Sequence, residues 1–393
     1  MSDIWNRFFN GYSYNNHTSN TQVPASSGNY HIHHVYFTNL NSRIVYFSGS
    51  NESKLLISFC VFDSNSGNNK GVNIYQVEGQ CVQYRICSYS STTNNNYPHS
   101  YINVTNNQEY KNYLIESTIT LSKGNSGPIY QQFGDIKIHN VNISNSESFQ
   151  HDSVYYLYAS QLTASISYST FFNNTAKYYR SLCHQYGNIN INYSNILSNQ
   201  CRQVYYTDNG IIYASSNSIV TVEQCILSNN KGYYLFCTKN AGKQMIIKFC
   251  YFPSNEIIET AYGPVTTSTN NSLQINNEHF NTAMCYAPNP FKSITLQSVK
   301  LERTEYYYKI DRYINVSGNG KCDINSITIY CIIDGYDAYE LNNRTLSYQE
   351  NDMTYSFTGF CEIPNTVNEP GNHSLSVHAS NGIDISKSVR SKF

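Results

Sequence analysis

The chain has 393 residues, enough for two or three ordinary domains, and its 25 basic and 26 acidic residues leave a net charge of −1. Only 13% of residues are charged, which argues against the clustered basic face that nucleic acid requires and against a polybasic membrane-surface mode. Asn (53) and Ser (49) are abundant beside 38 Tyr, whereas Ala (11) and Leu (17) are scarce; a 40% apolar chain of this kind excludes disorder and favours strands over helices.

The first residues, MSDIWNRFFNGYSYNN, have no basic start followed by an apolar core, so no secretory leader is expected. No apolar run is long enough for a transmembrane helix. Residues 1–30, with Ile4, Trp5, Phe8 and Phe9 close together, are expected to cap the end of the domain that begins at residue 31.

That domain is a repeat. HIHHVYFTNL (31–40), LISFCVFDSN (56–65), SISYSTFFNN (165–174), NINYSNILSN (190–199) and TVEQCILSNN (221–230) share an aliphatic residue and a second apolar one five places on, with Asn or Ser three places later in all but the first. Extended through weaker stretches, the first position reads Ile32, Ile57, Val82, Leu114, Ile138, Ile166, Ile191, Val222 and Ile247. The second reads Phe37, Phe62, Cys87, Ile119, Ile143, Phe171, Ile196, Leu227 and Phe252; the third is Asn or Ser in every copy but the first, Leu40. The residue three after the first anchor is usually small and agrees in parity with the second anchor, so each copy is expected to hold two short strands with a corner between them. Arg85 falls at that small position in the third copy, where the register is expected to be slipped or bulged.

A repeat of about 25 residues without helical periodicity predicts an all-β solenoid of about nine or more coils, each too thin to bury its apolar face alone. Asn columns suit its corners, because Asn tolerates left-handed backbone and its amide can bond the coils on either side. The solenoid is expected over 31–290, with regular coils over 31–256 and a last coil and connector over 257–290. Ten N-x-[ST] sequons occur, about the number chance gives in so Asn-rich a chain, so they carry no weight.

From 291 to 393 the repeat gives way to alternating runs, SITLQSVKL (293–301), YINVSG (313–318), INSITIYCII (324–333), MTYSFTGFC (353–361) and HSLSVHAS (373–380), separated by turn signals such as Asn342-Asn343. These predict an Ig-like β-sandwich with Leu375, Val377 and Ala379 inward. Cys331 and Cys361 can face each other across it; with no leader, free buried thiols are the favoured expectation.

The coil VTVEQCILSNN (220–230), the TAMCYAPNPF segment (282–291) and the Ig-like pattern together resemble the surface right-handed parallel β-helix proteins of flagellated protists. The resemblance implies a right-handed parallel β-helix, the fold of pectate lyases and polymorphic outer-membrane passengers, ahead of an Ig-like module, with cell-surface location and an adhesion role. The sequence departs from that family in showing neither leader nor anchor.

Chemistry is hard to place. Asp63, Asp135, Asp152, Asp208, Glu78, Glu116, Glu147 and Glu223 occupy different positions relative to the anchors, whereas glycoside hydrolysis needs two carboxylates on one sugar. Arg180 and Arg202 lack the acidic cluster a lyase would add. His31, His33 and His34 are expected at a solvated first-coil edge. No catalytic, cofactor or metal residues are assigned. Tyrosine pairs recur once per coil, Tyr155-Tyr156, Tyr178-Tyr179, Tyr205-Tyr206 and Tyr233-Tyr234, and the outward member of each is expected to build an aromatic ladder facing a glycan or protein ligand. The competing reading is that stacked tyrosines only stiffen the sheet. The functional expectation is therefore a non-catalytic surface binding or adhesion protein, with a polysaccharide lyase or glycoside hydrolase, or a truncated intracellular scaffold, as alternatives.

Overall fold

A computed structural model describes residues 2–25, 27–159, 163–202, 210–215, 218–239, 244–252, 260–261, 265–270, 272–275, 294–301, 313–322, 327–333, 339–340, 342–349, 354–363, 374–380 and 389–392. The chain divides into two compact units, Met1–Phe280 and Asn281–Phe393.

The first unit is a parallel β-solenoid of about eight turns, built from a 17-stranded sheet, a ten-stranded sheet and a six-stranded sheet of two-residue strands. Nine or more coils were expected; residues 253–259, after the ninth copy's second anchor, lie outside the described residues. Parallel pairing puts equivalent residues of successive turns side by side: Ile32, Ile57, Gln83, Leu114, Ile138, Ile166, Ile191, Val222 and Ile247 form one column. Phe37, Phe62, Ser88, Ile119, Ile143, Phe171, Ile196 and Leu227 form a second.

The expected columns hold except in the third copy, where Gln83 and Ser88 replace Val82 and Cys87. The shift is one residue. A polar interior at this turn left the neighbouring apolar residues as false matches. It also settles Arg85: the buried Ile86 takes the small inward position, and Arg85 sits at the corner, bonded to Glu116 at 2.7 Å.

That corner is one left-handed residue per turn, with φ between 48° and 54° at His34, Phe59, Arg85, Glu116, Asn140, Tyr168, Tyr193, Gln224 and Phe249. A single such residue reverses the in–out alternation, which is the parity break seen in the sequence. None is glycine, so each costs roughly 1–2 kcal/mol of backbone strain. Hydrogen bonds from the next residue offset it: Ser169 Oγ accepts from the Val141 N–H at 3.1 Å and donates to the Ser167 carbonyl at 2.9 Å.

A second left-handed column, Asn39, Ser64, Ser90, Leu121, Asn145, Asn173, Ser198 and Asn229, precedes the inward Asn/Ser column, which in the third copy is Ser91 and not the expected Ser90. The ladder asparagines therefore do not supply the left-handed turn themselves; they come one place after it and point inward. Asn174 Oδ1 accepts from the Ser146 N–H at 3.0 Å, and Asn174 Nδ2 donates to the Ile143 carbonyl at 2.9 Å and to Asn199 Oδ1 at 3.0 Å. Asn65, Asn199 and Asn230 repeat this pattern. Backbone groups that the corner takes out of the strand ladder are thereby satisfied.

The interior is two apolar clusters, one from Val23 to Val104 and one from Leu114 to Phe252. Between them lies a polar layer. Asn73 Nδ2 reaches Ser88 Oγ (3.0 Å), Ser91 Oγ (2.7 Å) and His99 Nδ1 (3.3 Å), and His99 Nε2 meets Gln83 Oε1 at 3.0 Å. Burial pushes the His99 pKa down to about 3, so the ring is neutral and Nε2 carries the donated proton.

At the N-terminus, strand Asn15–His17 pairs with Asn29–His33 and covers the edge of the large sheet. The edge strand of the ten-stranded sheet, Val23–Ala25, carries Pro24, which has no N–H to offer another chain. Helix Ser2–Phe9 lies along the flank, packing Trp5, Phe8 and Phe9 onto Leu56, Val82 and Tyr84. This overturns the solvated placing of His31 and His33. Both are buried, at 1% and 6% exposure, and Trp5 of the helix lies over His31.

The second unit holds two four-stranded antiparallel sheets: Ile294–Leu301, Tyr313–Cys322, Thr354–Glu362 and Asn342–Gln349 in one, and Tyr339–Glu340, Thr328–Ile333, Ser374–Ser380 and Val389–Lys392 in the other. Ile314, Val316 and Phe357 from the first sheet join Ile329, Leu375, Val377 and Ala379 from the second in one buried cluster. The expected turn at Asn342-Asn343 instead opens a strand. The free-thiol expectation for Cys331 and Cys361 is also wrong: they form a disulfide linking the two sheets, with Cα atoms 5.9 Å apart. The expectation failed because inward positions on facing strands bring the two thiols within bonding reach.

Candidate functional site

The ten-stranded sheet carries an aromatic ladder on its outer face, though not the one the tyrosine pairs predicted. Tyr46, Tyr75, Tyr101, Tyr130 and Tyr156 are in register on five successive turns. Their rings stack at centroid separations of 5.3, 5.3, 4.6 and 5.2 Å, with interplanar angles of 8° to 19°. Each sits second in a four-residue strand whose first residue points inward, as in Ile74–Val77 and Ile129–Gln132. Strand separation near 4.8 Å is close to ring-stacking distance, so a Tyr at this position on every turn must stack.

Because the rings stack along the solenoid axis, neighbouring rings cover much of each face. Two cations join them. The Arg43 guanidinium lies 4.1 Å from the Tyr75 centroid and 5.3 Å from that of Tyr46, and Lys70 Nζ lies 3.8 Å from the Tyr101 centroid. Exposure falls along the ladder: Tyr46 is 36% exposed, the next four are half-buried, and the column continues as Cys183, Tyr213 and Cys237, all fully buried.

The buried end contains an ion pair. Arg180 Nε donates to Asp152 Oδ1 at 2.8 Å, and its guanidinium lies 4.2 Å from the Tyr213 centroid. Burial raises the Asp152 pKa above the usual carboxylate range, and Arg180 offsets this only in part. Tyr97 packs on Tyr101 and Tyr130 at 6.0 and 4.9 Å, and burial raises the pKa values of Tyr97, Tyr130 and Tyr156. These phenols are neutral hydrogen-bonding groups at physiological pH.

Of the predicted ladder residues, only Tyr156 belongs to the column. Its partner Tyr155 points inward, fully buried, with its hydroxyl 2.8 Å from His184 Nε2. Tyr178 and Tyr179 precede strand Leu182–Gln185 and miss the register; Tyr179 stacks on His151 at 5.3 Å. Tyr205 and Tyr206 lie outside the described residues. Tyr234 pairs with Gly210, three places before the column position Tyr213, and Tyr233 is 43% exposed. The pairs recur once per turn but slide against the register. The signal that finds the ladder is a single Tyr spaced 29, 26, 29 and 26 residues apart from Tyr46 to Tyr156.

A second exposed stack lies at the left-handed corner, where Tyr168 and Tyr193 are 46% and 37% exposed with centroids 5.1 Å apart. In the C-terminal unit, a groove of about 370 Å³ crosses the outer face of one sheet, lined by Ser298, Lys300, Ser317, Asn319, Thr345 and Ser356 among others.

The candidate carboxylates are not brought together in register. Asp135 is beside Lys111, Glu147 beside Lys123 and Thr175, and Glu223 beside Asn192 and Lys248. Asp63 accepts from the Tyr36 hydroxyl at 2.6 Å, and Asp208 is outside the described residues. Among the described residues no group of three His, Cys, Asp or Glu side chains is placed to hold a metal ion, and no helix is long and apolar enough to cross a membrane.

In comparisons with known proteins, the chain matches no family model, no curated protein and no solved structure.

Proposed function

We propose that the protein is a non-catalytic, surface-type binding or adhesion protein that uses the outer face of the ten-stranded sheet, and that its solenoid is right-handed with an Ig-like sandwich after it. The observation that carries this reading is the in-register ladder from Tyr46 to Tyr156 with Arg43 and Lys70 laid against it. Mutually covered ring faces and two cations suit an anionic glycan or an acidic protein segment better than a neutral sugar, which would need open ring faces. The Cys331–Cys361 disulfide favours an oxidising, extracellular setting. Carboxylates dispersed over different register positions disfavour hydrolysis.

The test is a glycan and host-cell binding screen with the intact chain, repeated with Arg43→Gln and Lys70→Gln. Both substitutions leave the ring stack in place. Loss of binding at an unchanged melting temperature supports the reading; binding that survives the double variant rejects this face as the site.

A further inference from the structure

We propose that the N-terminal helix Ser2–Phe9 is an acid-released strap: a histidine cluster enclosed between it and the solenoid flank holds it closed while neutral and displaces it when protonated.

His31 and His33 stand on the outer face of strand Asn29–His33, and His31 lies beneath the helix and the segment just after it. Trp5 and Tyr14 cover the His31 ring at centroid distances of 6.0 and 5.4 Å. His33 is 4.6 Å from His31 and 5.4 Å from His34, and the Nδ1 atoms of His33 and His34 are 3.2 Å apart. His31 Nε2 is bonded to Ser58 Oγ at 2.8 Å, while its Nδ1 is buried without a partner. A proton added there has no acceptor and faces a second imidazole.

Among the described side chains no carboxylate is in contact with the two rings. From the helix comes Arg7, held by the Tyr84 hydroxyl at 3.2 Å and lying over the Tyr84 ring. The neighbouring strands bring Lys54, with Glu52 near it, and Lys111, which lies 5.5 Å from the Phe9 centroid. Arg85 is paired with Glu116, and His17 is on the edge strand.

Burial, reinforced by His33 and His34, lowers the His31 pKa to about 3; burial and His34 lower that of His33. In the released state both return toward the ordinary value near 6.5. Above that value the helix is unaffected. As pH falls from about 6.5 toward 3, the open state takes up protons that the closed state refuses, and His31 alone favours opening by roughly tenfold per pH unit, about 100-fold at pH 4.5. Opening uncovers Leu56, Val82 and Tyr84 on the sheet and Trp5, Phe8 and Phe9 on the helix.

Trp5 is the chain's single tryptophan, 1% exposed, with its indole N–H donated to the Tyr12 carbonyl at 2.8 Å. Its emission therefore reports the strap alone. Titrating the intact chain from pH 7.5 to 4 should shift Trp emission to the red before far-UV circular dichroism changes. His31→Gln and His33→Gln should each lower the midpoint, together by about one pH unit or more, while His17→Gln leaves it unchanged. Emission that moves only with the dichroism, or a midpoint indifferent to both substitutions, overturns the proposal. Should the variants fold poorly, hydrogen exchange on the unmodified chain decides: after correction for intrinsic rates, amides of 2–9 must lose protection between pH 7 and 5 while those of Lys54–Ser58 keep it. Equal loss overturns it.

Discussion

Replacing Asn174 with Ala removes one rung of the internal asparagine ladder and separates its contribution from that of its exposed neighbour. Asn174 is fully buried, and its amide makes the three bonds to the Ser146 N–H, the Ile143 carbonyl and Asn199 Oδ1. The substitution orphans two backbone groups that no water can reach. At about 1–3 kcal/mol for each unsatisfied group, with the Asn199 contact adding a little, the loss should be about 3–5 kcal/mol. For a unit of this size that lowers the melting temperature by roughly 10 °C. Asn173, one place earlier, is exposed at φ 53° and contributes a single surface bond to Asn145 Oδ1. Asn173→Gly, which relieves the left-handed strain, should stay within about 0.5 kcal/mol of the parent. Urea unfolding followed by circular dichroism measures both. A cost below about 1 kcal/mol for Asn174→Ala, or equal costs at the two sites, refutes the ladder as a stabilising device.

The interior and the second unit have their own testable consequences. His99 and His184 are both buried with pKa values lowered to about 3, chiefly by burial, so the unfolded chain binds protons first as pH falls below 6.5; these two should contribute about 2.5 kcal/mol to the drop in unfolding free energy between pH 7 and 5.5, measured by urea titration at each pH as the part of the drop lost in a His99→Gln, His184→Gln variant. Arg180→Met leaves Asp152 buried without its cation and should cost about 3–5 kcal/mol, and adding Asp152→Asn should recover much of it; a double variant no better than the single contradicts the pairing. Closing a loop of 30 residues, the Cys331–Cys361 disulfide should stabilise the C-terminal unit by about 3.5 kcal/mol, so its double Ala variant should lower the melting of that unit and leave the solenoid transition in place.

Much of the architecture was legible because a parallel solenoid repeats the same inward position on every turn. Ile57, Ile166 and Ile247 could be aligned from sequence, and even the corner announced itself as a change of parity. The alignment failed at Gln83 because it assumed an apolar interior, and this turn instead buries Asn73, Ser88 and His99 in a hydrogen-bonded layer. His31 and His33 were misplaced for a related reason: pattern gives the face a strand residue points to, but not whether a distant helix covers that face. The tyrosine ladder was half legible. Adjacent pairs drew attention to Tyr155-Tyr156, whereas turns of unequal length slide Tyr178-Tyr179 and Tyr233-Tyr234 out of register, and the single tyrosines at 46, 75, 101 and 130 are visible only once the turn lengths are known. The disulfide was a geometric possibility that compartment reasoning discounted.

The turns lie directly over one another, in the register that places Tyr75 two turns from Tyr130. Nitroxide labels at these two positions of the folded chain, read by continuous-wave electron paramagnetic resonance, give the most direct check. Two strand spacings predict backbones roughly 10 Å apart and strong dipolar broadening. Spectra that equal the sum of the two singly labelled proteins would contradict the stacking.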